Sequence, residues 1–525
     1  MALRNDTLFK YSKNMIKNVY LNSDVPFVIG LSGGKDSTLA TQLFFEVLTE
    51  LDEKQLKNKI YIISADTLVE NPPIAKLIHK VLNKIQKKAD ELELPITTSL
   101  VSPLASQSFW ANIIGRGYPV PNQTFRWCTD RMKIDPANRF IKEIVSNHGE
   151  VIMVLGVREG ESNSRDRVLN THSVEGKILM KHTTLNNAFV FAPIKDFTVD
   201  DVWSYLLENK SPWGSDNQAL YDMYSGSNDP ENYIIMDQET KNKVGSTGNS
   251  RFGCWACTVV NEDKSLSSFI DSGEEWLRPL LDFRNWLASI RDDRTLRMKR
   301  RTNGSLYFSN IIYDEKNDLF IIPKKTKRPK LTIILDGKMW LDNNQEEWIV
   351  FENEDDAKNY INENNIDLSS SIDPRIIAKK RDGSYGQLGL GPYTFEARFL
   401  LMEKLFKLQK VMGNKYKVVT ESEITEIRKI WLERGDMEDT LPTIYESVFN
   451  TKFDWKNDDS PFLSKEDLEL LSELCDEKEV DFNFYKRLLE VEKKSFGQLV
   501  RRSVVNKISD LLKMDYLYVG DNDDS

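Results

Sequence analysis

The sequence predicts an α/β domain with a parallel sheet flanked by helices, followed by a small β-rich module and a helical C-terminal region. Two observations support this fold class. Compact apolar runs alternate with amphipathic stretches over the first part of the chain, and the pattern changes after Arg291 and again near Asp355. At about 150 residues per domain, a chain of 525 residues has room for two to four domains. We therefore divide it into residues 1–290, 291–354 and 355–525.

Strands and helices alternate in the first domain. The run VPFVIGL (25–31) predicts a buried strand, and residues 37–51 predict a helix with one apolar face. A second strand over 59–65 and a second helix over 74–92 follow, and 151–157 predicts a further buried strand. Strands joined by helices at this spacing run parallel, so we expect a sheet with helices on both of its faces.

Capping residues and apolar patterns also predict helices and strands later in the chain. Thr198 and Asp201 form a capping pattern at the start of a short helix over 198–207. Short strands are predicted at 306–313, 319–322, 331–335 and 347–351, and amphipathic helices at 395–408, 421–434 and 482–489. The pattern is helical from about Asp355 onward, interrupted by a glycine-rich piece at 383–394.

Composition excludes several classes of protein. Hydrophobic residues make up 40% and charged residues 29%, which supports a packed core and excludes a fully disordered chain. No apolar run approaches the ~18 residues of a membrane span, and the N-terminus has no apolar secretion signal. A net charge of −10 argues against a general nucleic-acid coat protein but leaves room for local basic patches. We expect a cytoplasmic protein without a membrane partner.

The strongest motif is SGGKDS (32–37), which stands directly between a predicted strand and a predicted helix. Its glycines allow a tight turn that aims successive amides inward, and the helix adds its positive end. One exposed dipole contact contributes only ~0.3–1 kcal/mol, so the amides, Ser32, Ser37 and Lys35 have to act together on a phosphate. The spacing is shorter than that of the GxxxxGK[ST] loop. The alternative is an ordinary strand-to-helix turn.

A second motif, GVREGESNSR (156–165), also follows a predicted strand. The planar guanidinium groups of Arg158 and Arg165 suit phosphate and could offset charge that develops on a leaving pyrophosphate. The alternative is a solvated charged loop. A third motif, APIKDFTVDDVWSY (192–205), is expected to be mainly structural.

Three of the cysteines form a further candidate site. Cys254 and Cys257 make a CxxC pair, and Cys128 lies far upstream in RWCTDR. A CxxC with a distant third cysteine can hold an iron–sulfur cluster or zinc; a redox dithiol and two buried apolar thiols are the alternatives. Nearby arginines should lower the thiol pKa values and favour thiolates. They are Arg126, Arg131 and Arg251.

Cys475 lies in a helical pattern and is expected to be a core thiol rather than a ligand. That leaves three cysteines, one fewer than a fully thiolate-ligated [4Fe–4S] cluster needs. Either a non-cysteine group completes the site, or one iron is open.

Several motifs together resemble known families. SGGKDS resembles the pyrophosphate loop of the ATP pyrophosphatase superfamily, and GVRxxESxSR and PIxDFTxxDVWxY are similar to motifs of its phosphoadenylyl-sulfate reductase branch. With RWCTDRxKI, NSRFGCWxCTVVxxDKS, GLGPYTFEAR (389–398) and GDMEDTLPTIY (435–445), the chain resembles the DndC family. That family is the ATP pyrophosphatase and iron–sulfur component of DNA phosphorothioation. The resemblance covers roughly residues 15–450.

The resemblance implies a sulfurtransferase that cleaves ATP to AMP and pyrophosphate, activating a DNA phosphate oxygen for replacement by sulfur. It implies ATP, Mg²⁺ and a [4Fe–4S] cluster as cofactors. It also implies DNA, a cysteine desulfurase and the other proteins of a phage-defence modification system as partners. The implied nucleotide-binding residues are Ser32, Gly33, Gly34, Lys35, Asp36, Ser37, Asp66, Gly156 and Arg158. The implied catalytic residues are Lys35, Asp36, Ser37, Arg158, Arg165 and Cys128, and the implied cluster ligands are Cys128, Cys254 and Cys257.

Two other functions fit part of the sequence. A small-molecule enzyme that reduces adenylated sulfate or activates sulfate would need only the α/β domain. A non-catalytic nucleotide-binding subunit of a defence complex would keep the loop without turnover. The long region after Arg291, with basic runs at 297–301 and 324–330, favours a macromolecular substrate, although such runs are as often solvated surface.

Sulfur transfer also requires the cysteines to lie close to the bound nucleotide. Reacting atoms have to come within about 3–3.5 Å of each other, so Cys128, Cys254 and Cys257 should converge near the mouth of the ATP pocket. Ligands in such folds bind at the carboxyl ends of the strands, where Ser32, Asp66 and Arg158 all stand.

Overall fold

A computed structural model describes most of the chain. The described ranges are 2–122, 125–159, 178–182, 185, 187–226, 253–299, 385–436, 438–455, 465–478, 480–495 and 502–512, with shorter pieces between 301 and 379. The predicted fold class is confirmed. A mostly parallel sheet flanked by helices comes first, a β-rich module follows, and the C-terminal region is helical.

The first sheet, within the described residues, has the strand order β3-β2-β1-β4-β6-β5. All of its neighbouring strands pair in parallel except β5, which is antiparallel to β6. The chain builds outward from β1 through β2 to β3 and then crosses to the other side at β4. Ligands of open α/β sheets bind in the crevice at such a reversal. The bounds are β1 Phe27–Gly30, β2 Ile60–Ala65, β3 Ile96–Val101, β4 Val151–Val154, β5 Met180–Lys181 and β6 Ala188–Phe191.

Amphipathic helices cover this sheet. Helix α2 buries Leu39, Leu43 and Phe44 in the core that β1 and β2 also line. The predicted cap of α5 is confirmed, because Thr198 and Asp201 each bond the backbone of the other. The bounds are α1 Ala2–Leu21, α2 Lys35–Thr49, α3 Pro72–Glu91, α4 Asp135–His148, α5 Val199–Glu208 and α6 Asn217–Gly226.

A second core joins the C-terminal helices to the first domain. The indole of Trp110 donates to the Val418 carbonyl at 2.9 Å, and that of Trp431 donates to the Ile114 carbonyl at 2.8 Å. Both indoles are fully buried, so these bonds satisfy donors that would otherwise be costly. The helices of this core are α7 Lys264–Asp271, α8 Arg278–Ser289, α9 Phe395–Met412, α10 Glu421–Glu433 and α11 Thr440–Phe449.

The β-rich module contains, within the described residues, sheets of order β11-β10-β9 and β12-β13-β7-β8. The sequence predicted β7, β8, β9 and β11 and missed β10. The expectation of helix from Asp355 onward is wrong at β12 and β13, because β13 pairs antiparallel with β7, far upstream. The bounds are β7 Phe308–Asp314, β8 Leu319–Ile321, β9 Lys330–Ile333, β10 Met339–Asp342, β11 Trp348–Phe351, β12 Ile377–Lys379 and β13 Tyr385–Leu388.

Three further helices are described near the end of the chain: α12 Lys465–Glu477, α13 Phe482–Ser495 and α14 Arg502–Leu512. Among the described residues, none of the helices has the length and apolar composition needed to cross a membrane.

Candidate functional site

The SGGKDS loop connects the carboxyl end of β1 to the start of α2. Gly33 has a φ of +78°, a conformation that favours glycine. The Ser37 hydroxyl closes the loop, since it accepts the Ser32 N–H at 3.1 Å and donates to the Gly34 carbonyl at 3.0 Å. Gly34 caps α2 without a side chain, so amides of the first turn can donate to an anion.

Charged side chains surround Asp36 beside the loop. Arg158 Nε donates to Asp36 Oδ1 at 2.5 Å, and Lys35 Nζ lies 3.5 Å from Asp36 Oδ2. Lys35 is 5% exposed and Arg158 is 4% exposed. Two buried cations and one carboxylate thus lie beside the loop. Ammonium and guanidinium groups are the side-chain donors that phosphates commonly bind.

Gly156 allows the loop after β4 to reach this cluster. A Cβ at Gly156 would lie 2.6 Å from the Asp36 carbonyl oxygen and 2.7 Å from Ser37 Cα, too close for any side chain. The same loop is held from its other side, because Glu159 N–H donates to the Lys195 carbonyl at 2.9 Å and the two side chains form an ion pair. The structure thus brings Gly156 and Arg158 against SGGKDS.

Asp66 directly follows β2 at the same edge of the sheet. Its carboxylate accepts the Leu68 N–H at 2.9 Å, within a turn in which Leu68 has a φ of +65°. The carboxylate therefore supports a local turn and also stands where the resemblance implies nucleotide or metal binding. Arg165 lies outside the described residues.

Cys254 lies directly against the turn after β2. Glu70 and Cys254 pair through an antiparallel β-bridge, and Thr67 Oγ1 is 3.3 Å from Cys254 Sγ. Because Thr67 follows Asp66 in the chain, the CxxC segment is held next to the predicted nucleotide position.

The thiols of Cys128, Cys254 and Cys257 interact electrostatically. Burial, and then the charge of Cys257, raises the pKa of Cys128. Burial and the charge of Glu70, with a smaller part from Cys257, raise the pKa of Cys254. Cys128 and Cys254 both pack against the second core, and the Cys257 N–H donates to the Cys254 carbonyl at 3.0 Å, so the three cysteines border the same core. Cys475 stands elsewhere, in α12.

The expectation that neighbouring arginines lower the thiol pKa values is wrong for Cys128 and Cys254. Burial dominates and raises both, because it removes the water that would solvate a thiolate. The cation that acts on both thiols is Lys133. Arg131 instead donates to the Tyr118 hydroxyl at 3.2 Å. Arg251 falls outside the described residues.

Sequence reasoning missed a carboxylate–lysine pair among the thiols. Lys133 Nζ lies 3.4 Å from Glu70 Oε1. Burial lowers the pKa of Lys133, but the charges of Glu70, Cys254 and Cys128 outweigh burial and raise it above its ordinary value. Lys133 belongs to the quoted cysteine motif and could have been found there. No sequence pattern near Glu70 indicates its contact with Cys254, because 184 positions separate the two residues.

The C-terminal region supplies a wall of this site. The Tyr416 hydroxyl accepts the Trp255 indole N–H at 3.2 Å and donates to the Glu70 carbonyl at 3.4 Å. Burial raises the pKa of Tyr416, and the charge of Asp66 contributes to the rise. Residues beyond the first domain therefore contact the segments that carry Glu70 and the CxxC pair.

The basic run at 297–301 is only partly available to a phosphate backbone. Arg297 is 6% exposed and donates to the Gly391 and Arg291 carbonyls, so its guanidinium is held inside the fold. The Arg301 guanidinium lies 4.2 Å from the Tyr307 ring centroid on the surface. Arg300 and residues 324–329 lie outside the described part of the chain.

A single metal ion and an iron–sulfur cluster need different arrangements of cysteine ligands. Among the described residues, no three His, Cys, Asp or Glu side chains are arranged to hold a single metal ion. An iron–sulfur cluster differs, since its thiolate ligands bind separate iron atoms and stand further apart. Cys128, Cys254 and Cys257 are half-buried free cysteines, and cysteine thiolates are the ligands that such a cluster takes. These residues fit a cluster by their chemistry.

The fold of the first domain is that of PP-loop, phosphoadenosine phosphosulfate reductase-like α/β domains. Residues 26–260 match the family model of the phosphoadenosine phosphosulfate reductase domain. The matched range contains SGGKDS, Asp66, Gly156, Arg158 and the cysteine motifs.

A curated relative matches a similar portion of the chain. An uncharacterised protein of Methanocaldococcus jannaschii is 23% identical over 279 residues, which are 52% of this chain and 46% of that protein. The chain thus spans about half the length of this relative.

Solved structures resemble the chain at low TM-scores. FMN adenylyltransferase of Candida glabrata is 14% identical and covers 40% of this chain and 57% of its own, with a TM-score of 0.25. The tRNA thiolase NcsA of Methanococcus maripaludis, solved with its [4Fe–4S] cluster, is 15% identical over 42% of this chain and 73% of its own, with a TM-score of 0.25. NH3-dependent NAD synthetase of Campylobacter jejuni is 16% identical over 55% and 95%, with a TM-score of 0.23.

Proposed function

We propose that this chain is a DndC-type component of DNA phosphorothioation, which uses ATP to activate a DNA backbone phosphate for replacement of one non-bridging oxygen by sulfur. The observation that carries the proposal is the joint placement of two groups at one sheet edge. Lys35 and Arg158 surround Asp36 beside the SGGKDS loop, and Cys254 stands against the turn that begins at Asp66.

The first step is an attack of a DNA phosphate oxygen on the α-phosphorus of ATP. The bond from the α-phosphorus to the β-phosphate oxygen breaks, pyrophosphate leaves, and AMP becomes joined to the DNA phosphate. Lys35, Arg158 and the amides of the loop offset the charge that develops on the leaving pyrophosphate. Asp66 is the carboxylate that we assign to the Mg²⁺ that accompanies ATP.

The second step exchanges AMP for sulfur. A sulfide derived from a cysteine desulfurase attacks the DNA phosphorus, a P–S bond forms, and the bond to the AMP oxygen breaks. If the donor is a persulfide, a further thiol reduces the resulting disulfide and becomes oxidised. A [4Fe–4S] cluster on Cys128, Cys254 and Cys257 would supply sulfur-binding and redox chemistry in this step. Trp255 is fully buried and bonded to Tyr416, so water does not reach this side of the CxxC segment.

A small-molecule reductase or sulfate-activating enzyme is the alternative, because the family match ends at residue 260. The contacts of Tyr416 support the larger substrate, since a segment far beyond the family domain packs against Glu70 and Trp255 beside the cysteines. A non-catalytic nucleotide-binding subunit is a third candidate, against which the buried Lys35 and Arg158 argue.

The test is an ATP assay with anaerobically purified protein. ATP labelled in the α-phosphate is incubated with DNA, with sulfate or with neither, and AMP and pyrophosphate are quantified. We expect AMP formation that DNA stimulates and that Ser37→Ala abolishes. The matched control is Ser289→Ala, whose hydroxyl also bonds a carbonyl but lies on the surface of α8. Stimulation by sulfate alone would support the small-molecule enzyme, and absence of AMP would support the non-catalytic subunit.

A further inference from the structure

A buried carboxylate, Glu70, stands among the cysteines. Glu70 is 7% exposed, and its Oε1 lies 3.9 Å from Cys254 Sγ. The β-bridge between Glu70 and Cys254 fixes the two backbones side by side, so the proximity does not depend on one flexible side chain. The Tyr416 hydroxyl donates to the carbonyl of the same residue at 3.4 Å, which also helps to hold this backbone in place.

A buried carboxylate is costly unless other groups compensate its charge. Thr67 Oγ1 donates to Glu70 Oε1 at 3.1 Å, and Lys133 Nζ lies 3.4 Å from the same oxygen. A structural ion pair is the simplest alternative explanation. However, Thr67 Oγ1 also lies 3.3 Å from Cys254 Sγ, and Glu70 Oε1 lies 3.9 Å from the same sulfur, so the carboxylate is in direct contact with the CxxC segment.

We propose that Glu70 is the non-cysteine ligand that completes the cluster site of Cys128, Cys254 and Cys257. This inference rests on the proposed function, because it requires that the cysteines hold a cluster. A carboxylate oxygen is a harder ligand than thiolate and binds iron of a cluster less firmly. The Glu70 position is therefore the one at which an external sulfur species can exchange with a protein ligand, while three thiolates keep the cluster in place.

The experiment compares iron binding in full-length variants purified anaerobically. Wild type, Glu70→Gln and Glu70→Cys are analysed for iron and acid-labile sulfide per chain. The rate of iron loss to a chelator and the EPR spectrum of the dithionite-reduced protein are also recorded. The matched control is Glu46→Gln, which breaks another partly buried carboxylate–lysine pair, that with Lys13 at 2.7 Å on α2.

We expect Glu70→Gln to lose iron to the chelator at least tenfold faster than wild type, with a changed EPR spectrum, and Glu46→Gln to match wild type. Removal of an outer-shell partner alone typically costs roughly 10–100-fold in metal affinity, and a direct ligand should cost no less. Glu70→Cys should keep at least the wild-type iron content, because it supplies a fourth thiolate. If Glu70→Gln does not fold, as judged by circular dichroism, the Glu70→Cys result decides.

Two results would overturn the inference in distinguishable ways. A wild-type protein with an iron–sulfur cluster, and a Glu70→Gln variant with the same chelation rate and EPR spectrum, would refute the role of Glu70 and leave the proposed function intact. A wild-type protein that holds zinc or no metal after anaerobic purification would refute both.

Discussion

Substitution of Gly156 by alanine tests the geometry of the ATP site most sharply. The added Cβ would lie 2.6 Å from the Asp36 carbonyl oxygen, whereas ordinary contact begins at 3.4 Å, so the loops would have to separate by about 0.8 Å. The opposing atoms are backbone and cannot rotate away. Overpacking of this kind typically costs ~1–3 kcal/mol, and a misplacement near 1 Å can reduce a rate by about 10²-fold. We expect pyrophosphate release to fall about 10- to 100-fold.

The assay is steady-state release of pyrophosphate from ATP in the presence of DNA, with folding checked by circular dichroism and thermal unfolding. Gly30→Ala is the matched control, because its Cβ would meet Leu155 Cδ2 at an ordinary 3.6 Å and should leave the rate near wild type. A folded Gly156→Ala variant with the wild-type rate would show that the contact between the two loops does not organise the ATP site.

Three further predictions concern other parts of the molecule. Tyr416→Phe leaves the buried Trp255 indole N–H without its acceptor and should lower the free energy of unfolding by about 1–3 kcal/mol in urea titrations; an unchanged midpoint would refute the contact. Burial raises the pKa of Asp263 above its ordinary value of 3.8, so the carboxylate destabilises the fold as pH rises through the raised pKa. Asp263→Asn keeps a capping oxygen and removes the charge, so it should raise Tm above that of wild type at pH 7 but not at pH 3. A variant whose Tm equals that of wild type at both pH values would contradict this. Arg301→Ala should reduce the slope of log K for DNA binding against log salt concentration by ~0.9 if Arg301 contacts one phosphate. An unchanged slope would mean that the Arg301 side chain is solvated.

Sequence reasoning predicted the features that depend on neighbouring residues. The SGGKDS loop, the strand before it and the helix after it are encoded within a short stretch, and the structure has β1 and α2 within a few residues of the predicted bounds. The helix cap formed by Thr198 and Asp201 is similarly local.

The rest depends on contacts between distant segments. Tyr416 reaches Glu70 across 346 positions, and β13 pairs with β7 across the predicted boundary at residue 354. The thiol pKa values illustrate the same limit. Arginines close in sequence suggest that the thiol pKa values are lowered. Cys254 instead packs against a core that includes the C-terminal helices, and this burial raises its pKa.

Transfer of an oxygen isotope tests the central claim most directly. DNA with ¹⁸O at its non-bridging phosphate positions is incubated with the anaerobically purified protein, ATP and a sulfide source, and the released AMP is examined by mass spectrometry. If a DNA phosphate oxygen attacks the α-phosphorus and AMP later leaves with that oxygen, each AMP carries one ¹⁸O and the DNA gains one sulfur. AMP that carries only oxygen from ATP and water would contradict the account.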